Sequence, residues 1–176
     1  GMFVLGRVIE VVSGKAFADY VKERILDPLG MKDSYFRIPA AEAERVANCY
    51  SEKKKKRTRN FRFDPEFEIV NTSPSGGLFS HPQEMFKFMR MFLDNDGRVL
   101  SKNSVAEMLK EHRPGRGLAW AVEKGLFSHG GSTGTYAWAD TKTGVVGILF
   151  FQCNGERSVA VRKSFIRSVE KAYPRE

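Results

Sequence analysis

Apolar residues recur at helical spacing near the start of the chain. Over residues 3–12 they stand at positions 4, 5, 8, 9 and 12, which predicts an α-helix that ends near Gly14. A second helix is predicted over residues 16–26, because four apolar residues share one of its faces. Pro28 follows this segment and ends it, since proline cannot continue a helix.

Further helices are predicted in the middle and at the end of the chain. Ser80 and Gln83 form a capping box that begins a helix running to about residue 93. Its inner face is a Met/Phe stripe, which is typical of a hydrophobic core rather than a cofactor pocket. Ser101 is the predicted cap of a shorter helix through residue 109, and residues 156–172 return to helical spacing.

The last third of the chain changes to alternating and aromatic runs. LAWAVE (118–123), LFSHG (126–130), TYAWAD (135–140) and VVGILFFQC (145–153) are β-rich and are separated by turn residues. They predict an antiparallel sheet of three to four strands. The last run is apolar almost throughout, which predicts a central strand covered on both faces. Helices, then hairpins, then a helix give an α+β fold in which helices pack on this sheet.

Length and composition favour one globular domain over residues 1–176. Hydrophobic residues make up 41% of the chain and charged residues 28%, and no run approaches the ~18 apolar residues of a membrane span. The first residues lack a basic leader and a small-residue cleavage site, so no signal peptide is predicted. Residues 37–72 lack strong periodicity, and we expect an irregular, basic excursion there.

The net charge of +8 comes largely from KKKKRTR, residues 53–59. A charge block of this kind is typical of a solvated loop. Contact with nucleic acid or anionic lipid is the alternative, but no recognisable nucleic-acid fold accompanies the run, so nucleic-acid binding is not the favoured interpretation. Cys49 and Cys153 are too few for a disulfide framework. The three histidines stand at no metal-ligand spacing, and we predict neither a metal site nor a cofactor.

The segment SHGGSTGT, residues 128–135, is the main candidate for chemistry. Within it, residues 130–134 match G-x-S-x-G, the nucleophile-elbow pattern of α/β-hydrolases. An elbow needs a strand before the turn and a helix after it, whereas TYAWAD follows here as a predicted strand. We therefore do not expect Ser132 to be an elbow nucleophile.

Two other short motifs match the patterns of penicillin-recognising enzymes. Residues 51–54 fit S-x-x-K, but that motif needs a buried helix start, and Ser51 stands two residues before four consecutive lysines on a predicted polar loop. Residues 142–144 fit K-T-G, yet they occupy the predicted hairpin loop after TYAWAD. We interpret both as chance matches.

Longer segments resemble the β-lactamase-related serine hydrolases, which include class C β-lactamases, D-Ala-D-Ala peptidases and related esterases. The resemblance runs in order over nearly the whole chain and is weak only over residues 37–72. It is carried by LGRVIEVVSGKAFADYVKERILDPLGMKDS (5–34), SPSGGLFSHPQEMFKFMRMFL (73–93), LSKNSVAEML (100–109), GLAW (117–120) and HGGSTGTYAWADTKTGVVGILFFQ (129–152).

This resemblance assigns roles to the HGGST segment. The family's third motif is K-T-G or H-x-G on an edge strand, and residues 129–131 are similar to the second form. It implies that His129 donates a hydrogen bond or charge toward the substrate carboxylate or the catalytic proton network. Gly131 would let substrate approach the strand, and the Ser132 N–H would be an oxyanion-hole donor. Gly130 and Thr133 complete the substrate-binding candidates. A surface histidine at a strand end is the alternative interpretation of His129.

The resemblance also implies motifs that these residues do not contain. A nucleophilic S-x-x-K would lie well upstream, and a Tyr-x-Asn would fall just before the LGRVIE helix; no Tyr-x-Asn occurs in the 176 residues. We therefore expect the C-terminal half of a β-lactamase-like serine hydrolase acting on an amide, lactam or ester, inactive by itself. A small-molecule or peptide substrate would bind only with the N-terminal half. The alternative is a non-catalytic binding module on the same scaffold.

Two further expectations follow from the resemblance. A half-domain leaves a sheet edge and apolar faces uncovered, so we expect a homo-oligomer formed through an exposed sheet edge. Relatives of this kind are commonly exported, which favours an extracytoplasmic location. The class of substrate stays open, because the family spans lactams, peptides and esters.

Overall fold

Five helices and seven strands make up the computed structural model over the residues that it describes, 1–53, 56–61, 72–154 and 156–174. A π-helical segment, Lys22–Leu26, continues α2, and Ala40–Arg45 form a 3-10 helix. The helices are α1 (Met2–Ser13), α2 (Phe17–Val21), α3 (Pro82–Asp94), α4 (Lys102–Leu109) and α5 (Glu156–Ala172). The strands are β1 (Cys49–Lys53), β2 (Lys56–Phe61), β3 (Ala121–Glu123), β4 (Leu126–Gly130), β5 (Tyr136–Asp140), β6 (Val146–Leu149) and β7 (Cys153–Asn154).

The α+β prediction is confirmed. Four consecutive strands form an antiparallel sheet in the order β3-β4-β5-β6, and α3 packs against β5 and β6. The helix α5 also packs against β6. Within the described ranges, no helix is both long and apolar enough to span a bilayer.

The prediction that residues 145–153 form one central strand is wrong. β6 ends at Leu149 and lies last in the order of the sheet. The chain leaves the sheet there because Cys153 belongs to β7, which pairs with β1 in a second sheet of order β2-β1-β7. Strand β6 therefore presents one edge with no partner strand among the described residues.

An aromatic cluster fills the core between α3 and the four-stranded sheet. The ring of Phe92 lies 5.1 Å from Trp120 and 5.5 Å from Phe127, centroid to centroid, and Trp120 and Phe127 are themselves 5.1 Å apart. Met89, on the same helix as Phe92, is fully buried. The Met/Phe stripe is thus core, as predicted, and it fixes the face of the sheet on which Phe127 lies.

The two predicted helix caps have different outcomes. The Ser101 hydroxyl accepts a hydrogen bond from the Ser104 N–H at 3.1 Å, which confirms the cap of α4. The Ser80 capping box is wrong, because the N-cap of α3 is His81. Ser80 instead bonds the Ser34 hydroxyl at 2.7 Å, beside the buried carboxylate of Glu84. A tertiary contact has replaced the local cap.

The stretch 37–72 is more regular than predicted. Strands β1 and β2 form an antiparallel hairpin, and β1 is parallel to β7. The basic run therefore lies on a hairpin, except for residues 54–55, which are outside the described residues, as are 62–71. Cys49 and Cys153 are both buried, and neither forms a disulfide within the described residues. Burial, with a smaller contribution from Cys153, raises the pKa of the Cys49 thiol.

Helix α1 packs on the rest of the chain through one narrow face. Gly6 is its buried residue, and a Cβ there would stand 2.4 Å from Pro74 Cγ, so only glycine permits this approach. The opposite face carries an exposed stripe, which we call the α1 stripe. Its five members are Val4, Leu5, Val8, Val11 and Val12, with 51% to 82% of each residue exposed.

Candidate active site

The HGGST segment joins two strands of the sheet. β4 ends at Gly130, which pairs with Tyr136 of β5, and the chain returns through a tight turn. Gly134 N–H donates to the Gly131 carbonyl at 3.1 Å, and Gly131 N–H donates to Thr135 O at 2.8 Å. The context is strand–turn–strand, which is incompatible with a nucleophile elbow at Ser132.

His129 is exposed at the end of β4, on the face of the sheet that carries the aromatic core. It lies two residues after Phe127, so the two side chains share that face. The ring of Trp120 stands edge-on to the imidazole, with centroids 6.4 Å apart and planes at 86°. His129 is therefore supported from the core side and open to solvent on the other.

Trp120 is a candidate that sequence reasoning missed as a site residue. Its indole N–H is buried, and no described residue accepts a hydrogen bond from it. Ala119, just before it, has a φ of 65°, an uncommon value for a residue with a side chain. Such outliers persist where the surroundings impose them, often at functional sites. In the sequence, only the resemblance of GLAW (117–120) to the family pointed to Trp120.

The end of β4 extends beyond its neighbour β3. The two strands pair only from Leu126 to Ser128, because β3 is shorter than the predicted run 118–123. Hydrogen-bonded and non-hydrogen-bonded pairs alternate along an antiparallel ladder, and Gly131 N–H donates to Thr135 O. The N–H and C=O of Gly130, one residue earlier, therefore point away from β5. β4 is thus the second strand of the sheet rather than an edge strand, but its last residues offer a free edge.

The exposed turn holds the remaining candidates. Ser132 is at its tip, and no described residue accepts a hydrogen bond from its N–H. Gly131 approaches Thr135 so closely that a Cβ would lie 2.2 Å from the Thr135 hydroxyl. Thr133 is half-buried, and its carbonyl accepts from Cys153 N–H at 2.8 Å, which anchors the turn to β7. All five predicted residues therefore lie together in one hairpin.

A charged residue from α5 also reaches this hairpin. The Arg162 guanidinium lies over the Tyr136 ring, 5.2 Å from its centroid. A Cβ on Gly130 would be 3.3 Å from Arg162 Nη1, so this glycine lets the cation approach the strand backbone. Arg162 adds a positive charge on the face opposite His129.

The shape of the turn depends on Gly134, and a pair of alanine variants tests this. Gly134 has a φ of 96°, and a Cβ would lie 2.9 Å from Phe151 O and 3.0 Å from Cys153 O. Gly144 has a φ of 72° with nothing within 4 Å of a Cβ, so Gly144→Ala should cost about 1–2 kcal/mol of unfolding free energy.

Gly134→Ala should cost about 1–3 kcal/mol more than this control, because the neighbouring backbone must also move. Urea titration followed by circular dichroism measures both values. Equal losses for the two variants would show that the packing around Gly134 does not hold the turn.

The alternative motif matches lie away from His129 or lack burial. Ser51 belongs to strand β1 rather than to the predicted loop, and it still does not begin a helix. Lys142-Thr143-Gly144 occupy the exposed β5–β6 turn, at the opposite end of β5 from Tyr136. Both therefore remain chance matches.

A further S-x-x-K, Ser168–Lys171, was not singled out from the sequence. It lies near the end of α5, not at its start, and both residues are exposed. Ile166 and Glu170 line a crevice against the sheet, so Ser168 faces the other way on the helix. This serine has neither the burial nor the helix start that the nucleophile motif requires.

A comparison with protein families decides the relationship. The family model described as Beta-lactamase matches residues 1–171. The chain belongs to the β-lactamase family. Among curated relatives, penicillin-binding protein 4 of Amycolatopsis lactamdurans is 30% identical over 122 residues, which cover 63% of this chain and 30% of that protein. Two Mycobacterium tuberculosis proteins are 33% identical over 114 residues, which cover 60% of this chain and 28% of each of them, so the chain spans less than a third of these curated relatives.

Solved structures of other proteins share this fold. Unliganded simvastatin synthase from Aspergillus terreus superimposes with a TM-score of 0.82 at 20% identity, over 97% of this chain and 54% of that one. The octameric penicillin-binding protein homologue from Pyrococcus abyssi is 26% identical, with a TM-score of 0.62, over 84% of this chain and 36% of that one. The chain thus spans about half or less of these two neighbours.

Proposed function

We propose that this chain is the C-terminal portion of a β-lactamase-like serine hydrolase that transfers an acyl group from an amide, lactam or ester. The observation that supports this proposal most directly is that His129 and the Ser132 N–H both lie where β4 ends and its edge is free. An exposed imidazole and a backbone donor without an acceptor are suited to polarise a carbonyl and to stabilise its oxyanion. Family membership supports the assignment.

The nucleophile and its base belong, in this proposal, to sequence outside the 176 residues. Neither S-x-x-K in the chain combines burial with a helix start, and no Tyr-x-Asn is present. The residues described here would then supply one wall of the cleft. His129 donates toward the substrate or the proton network, and the glycines admit the substrate along β4.

Sequencing the DNA before residue 1 and producing the longer chain it encodes tests this function. We expect an in-frame S-x-x-K and Tyr-x-Asn, and hydrolysis of nitrocefin or p-nitrophenyl esters by that chain. Ser132→Ala should preserve turnover, because the proposed donor is the backbone N–H rather than the hydroxyl. A coding sequence that begins at Met2 would instead favour the alternative, a non-catalytic binding module.

We also propose that the isolated chain self-associates. The α1 stripe and the free edge of β6 are an apolar face and an unpaired strand, and both favour contact with another chain. The octameric Pyrococcus abyssi neighbour shows that an assembly occurs on this fold. The partner proposed here is a second copy of the chain.

Charges in the α1 stripe should separate the copies. Val8→Glu with Val12→Lys places an opposite-charge pair at i and i+4, which a helix tolerates, on the face that would be buried. Multi-angle light scattering should change from an oligomer to the 19.9 kDa monomer. Ala160→Glu with Ser164→Lys puts the same pair on the exposed side of α5 and should leave the oligomer intact. A wild-type chain that is monomeric at every attainable concentration would contradict the proposal.

A further inference from the structure

Trp120 stands directly across the sheet from His129. Ala121 pairs with Ser128 where β3 meets β4, and one further step along this register sets Trp120 opposite His129. Side chains that lie opposite each other on neighbouring antiparallel strands interact directly. The centroids of the two rings are 6.4 Å apart and their planes meet at 86°, which is an edge-to-face arrangement. Trp120 is therefore the cross-strand neighbour of His129.

The ring of Trp120 is held in place by the core. Only 6% of the residue is exposed. The rings of Phe92 and Phe127 each lie 5.1 Å from it, and the ring of Phe88 lies 6.4 Å from it, centroid to centroid. Close packing of this kind leaves a buried side chain in one rotamer. His129 is exposed by comparison, and Trp120 is the one aromatic ring that contacts it in the described part of the chain.

The backbone before β3 is shaped to bring Trp120 to this position. Ala119 has a φ of 65°, which is uncommon for a residue with a side chain and persists where the surroundings impose it. Gly117 N–H donates to the Trp120 carbonyl at 3.0 Å, and Leu118 N–H donates to Met108 O, near the end of α4, at 2.9 Å. A Cβ on Gly117 would lie 2.4 Å from Met108 O, so glycine permits this contact. The position of Trp120 is thus set by α4 and the core, and not by its neighbour on β4.

A rigid neighbour restricts an exposed histidine. A side chain has three staggered rotamers about its first torsion, and a strand-end histidine surrounded by water can visit each of them. The Trp120 ring occupies the space between the imidazole and the core. The imidazole therefore keeps the solvent side, beside the free edge of β4 and the turn that carries the Ser132 N–H.

We propose that Trp120 is a positioning residue, whose packed ring selects the rotamer in which His129 faces the substrate. This role rests on the proposed hydrolase function. Trp120 acts through His129 and touches no reacting group. Without the ring, the imidazole should spread over the three rotamers, and the fraction in the competent one should fall to about a third.

NMR of the 176-residue chain measures the rotamer of His129. With ¹³C- and ¹⁵N-labelled histidine, the three-bond couplings from the side-chain Cγ to the backbone N and C′ report the rotamer. His129→Gln identifies the relevant signals among those of the three histidines. The wild-type couplings should correspond to one rotamer, and Trp120→Phe, which keeps an aromatic ring, should retain it. Trp120→Leu and Trp120→Met should both give averaged couplings, and the flexible methionine keeps the core filled if the leucine variant does not fold.

Phe88→Leu is the matched control for a general loosening of the core. The ring of Phe88 belongs to the same cluster, and its ring contacts are with Phe92 and Trp120. Its removal weakens the core without freeing His129, so the His129 couplings should stay at their wild-type values. Thermal unfolding shows how far each variant is destabilised.

Steady-state kinetics of the longer chain give the second readout. Trp120→Met should lower kcat about three-fold with little change in KM, because only the competent fraction of His129 has changed. Trp120→Phe should restore the rate, and Phe88→Leu should not lower it.

The proposal is overturned if the wild-type couplings are already averaged, if they survive removal of the Trp120 ring, or if Phe88→Leu changes them as much. Averaged couplings in Trp120→Met together with an unchanged kcat would also overturn it. Because the couplings are measured without turnover, a negative result there would leave the hydrolase proposal standing.

Discussion

Produced as these 176 residues, the chain should hydrolyse nitrocefin and p-nitrophenyl acetate no faster than buffer does. The nucleophile and its base act as a unit, and loss of such a unit costs about a million-fold in kcat. What the chain retains is part of an oxyanion hole and a binding wall, and neither can form an acyl-enzyme. Initial rates followed by absorbance, with buffer as the blank, measure this directly.

The control for that result is the longer chain that carries an S-x-x-K. It should turn over the same substrates, and changing its motif serine to alanine should return the rate to that of the 176-residue chain. Contradiction would come from turnover by the short chain that survives repeated purification and disappears in His129→Ala. Such a result would mean that the nucleophile lies within the described hairpin or helices.

In the longer chain, His129→Ala should lower kcat about 10²- to 10³-fold, the usual loss for one donor to a developing charge. His129→Lys should lose less than about ten-fold, because the family's third motif accepts lysine at the same place and both side chains donate. The comparison of Ala with Lys separates a donor role from a structural one. Steady-state kinetics with an ester and a lactam provide the values.

A variant of the neighbouring Trp120 is the control for a loss of activity caused by misfolding. Trp120→Phe keeps a six-membered aromatic ring against His129 and removes the pyrrole ring with its buried N–H, and thermal unfolding checks that the fold is kept. Equal kcat values for wild type and His129→Ala would remove His129 from the proposed site. A loss in His129→Lys as large as in His129→Ala would show that shape, and not donation, is required there.

The sequence predicted which helices and strands form better than it predicted the residues at which they begin and end. Helical spacing and the Gly14 terminator located α1 correctly, and alternation located β4 and β5 to within one residue. Ser80 failed as a cap because a tertiary bond to Ser34 was stronger than the local rule, and no local pattern contains that contact. Residues 145–153 failed because an apolar run does not reveal that its last part pairs with β1.

The site was predictable in position but not in its surroundings. Strand–turn–strand context was sufficient to reject Ser132 as an elbow nucleophile, and the family resemblance brought His129 forward. The unsatisfied N–H of Trp120 and the approach of Arg162 to Gly130 depend on packing between distant segments. Sequence periodicity carries no information on either, so only the folded structure shows them.

Covalent labelling tests the central claim most directly. The 176-residue chain is incubated with a fluorophosphonate probe or with benzylpenicillin, and its intact mass is measured, followed by peptide mapping. The account predicts an unmodified chain, alongside a single adduct on the S-x-x-K serine of the longer protein. An adduct on Ser51, Ser132 or Ser168 of the short chain, blocked by prior denaturation, would contradict it.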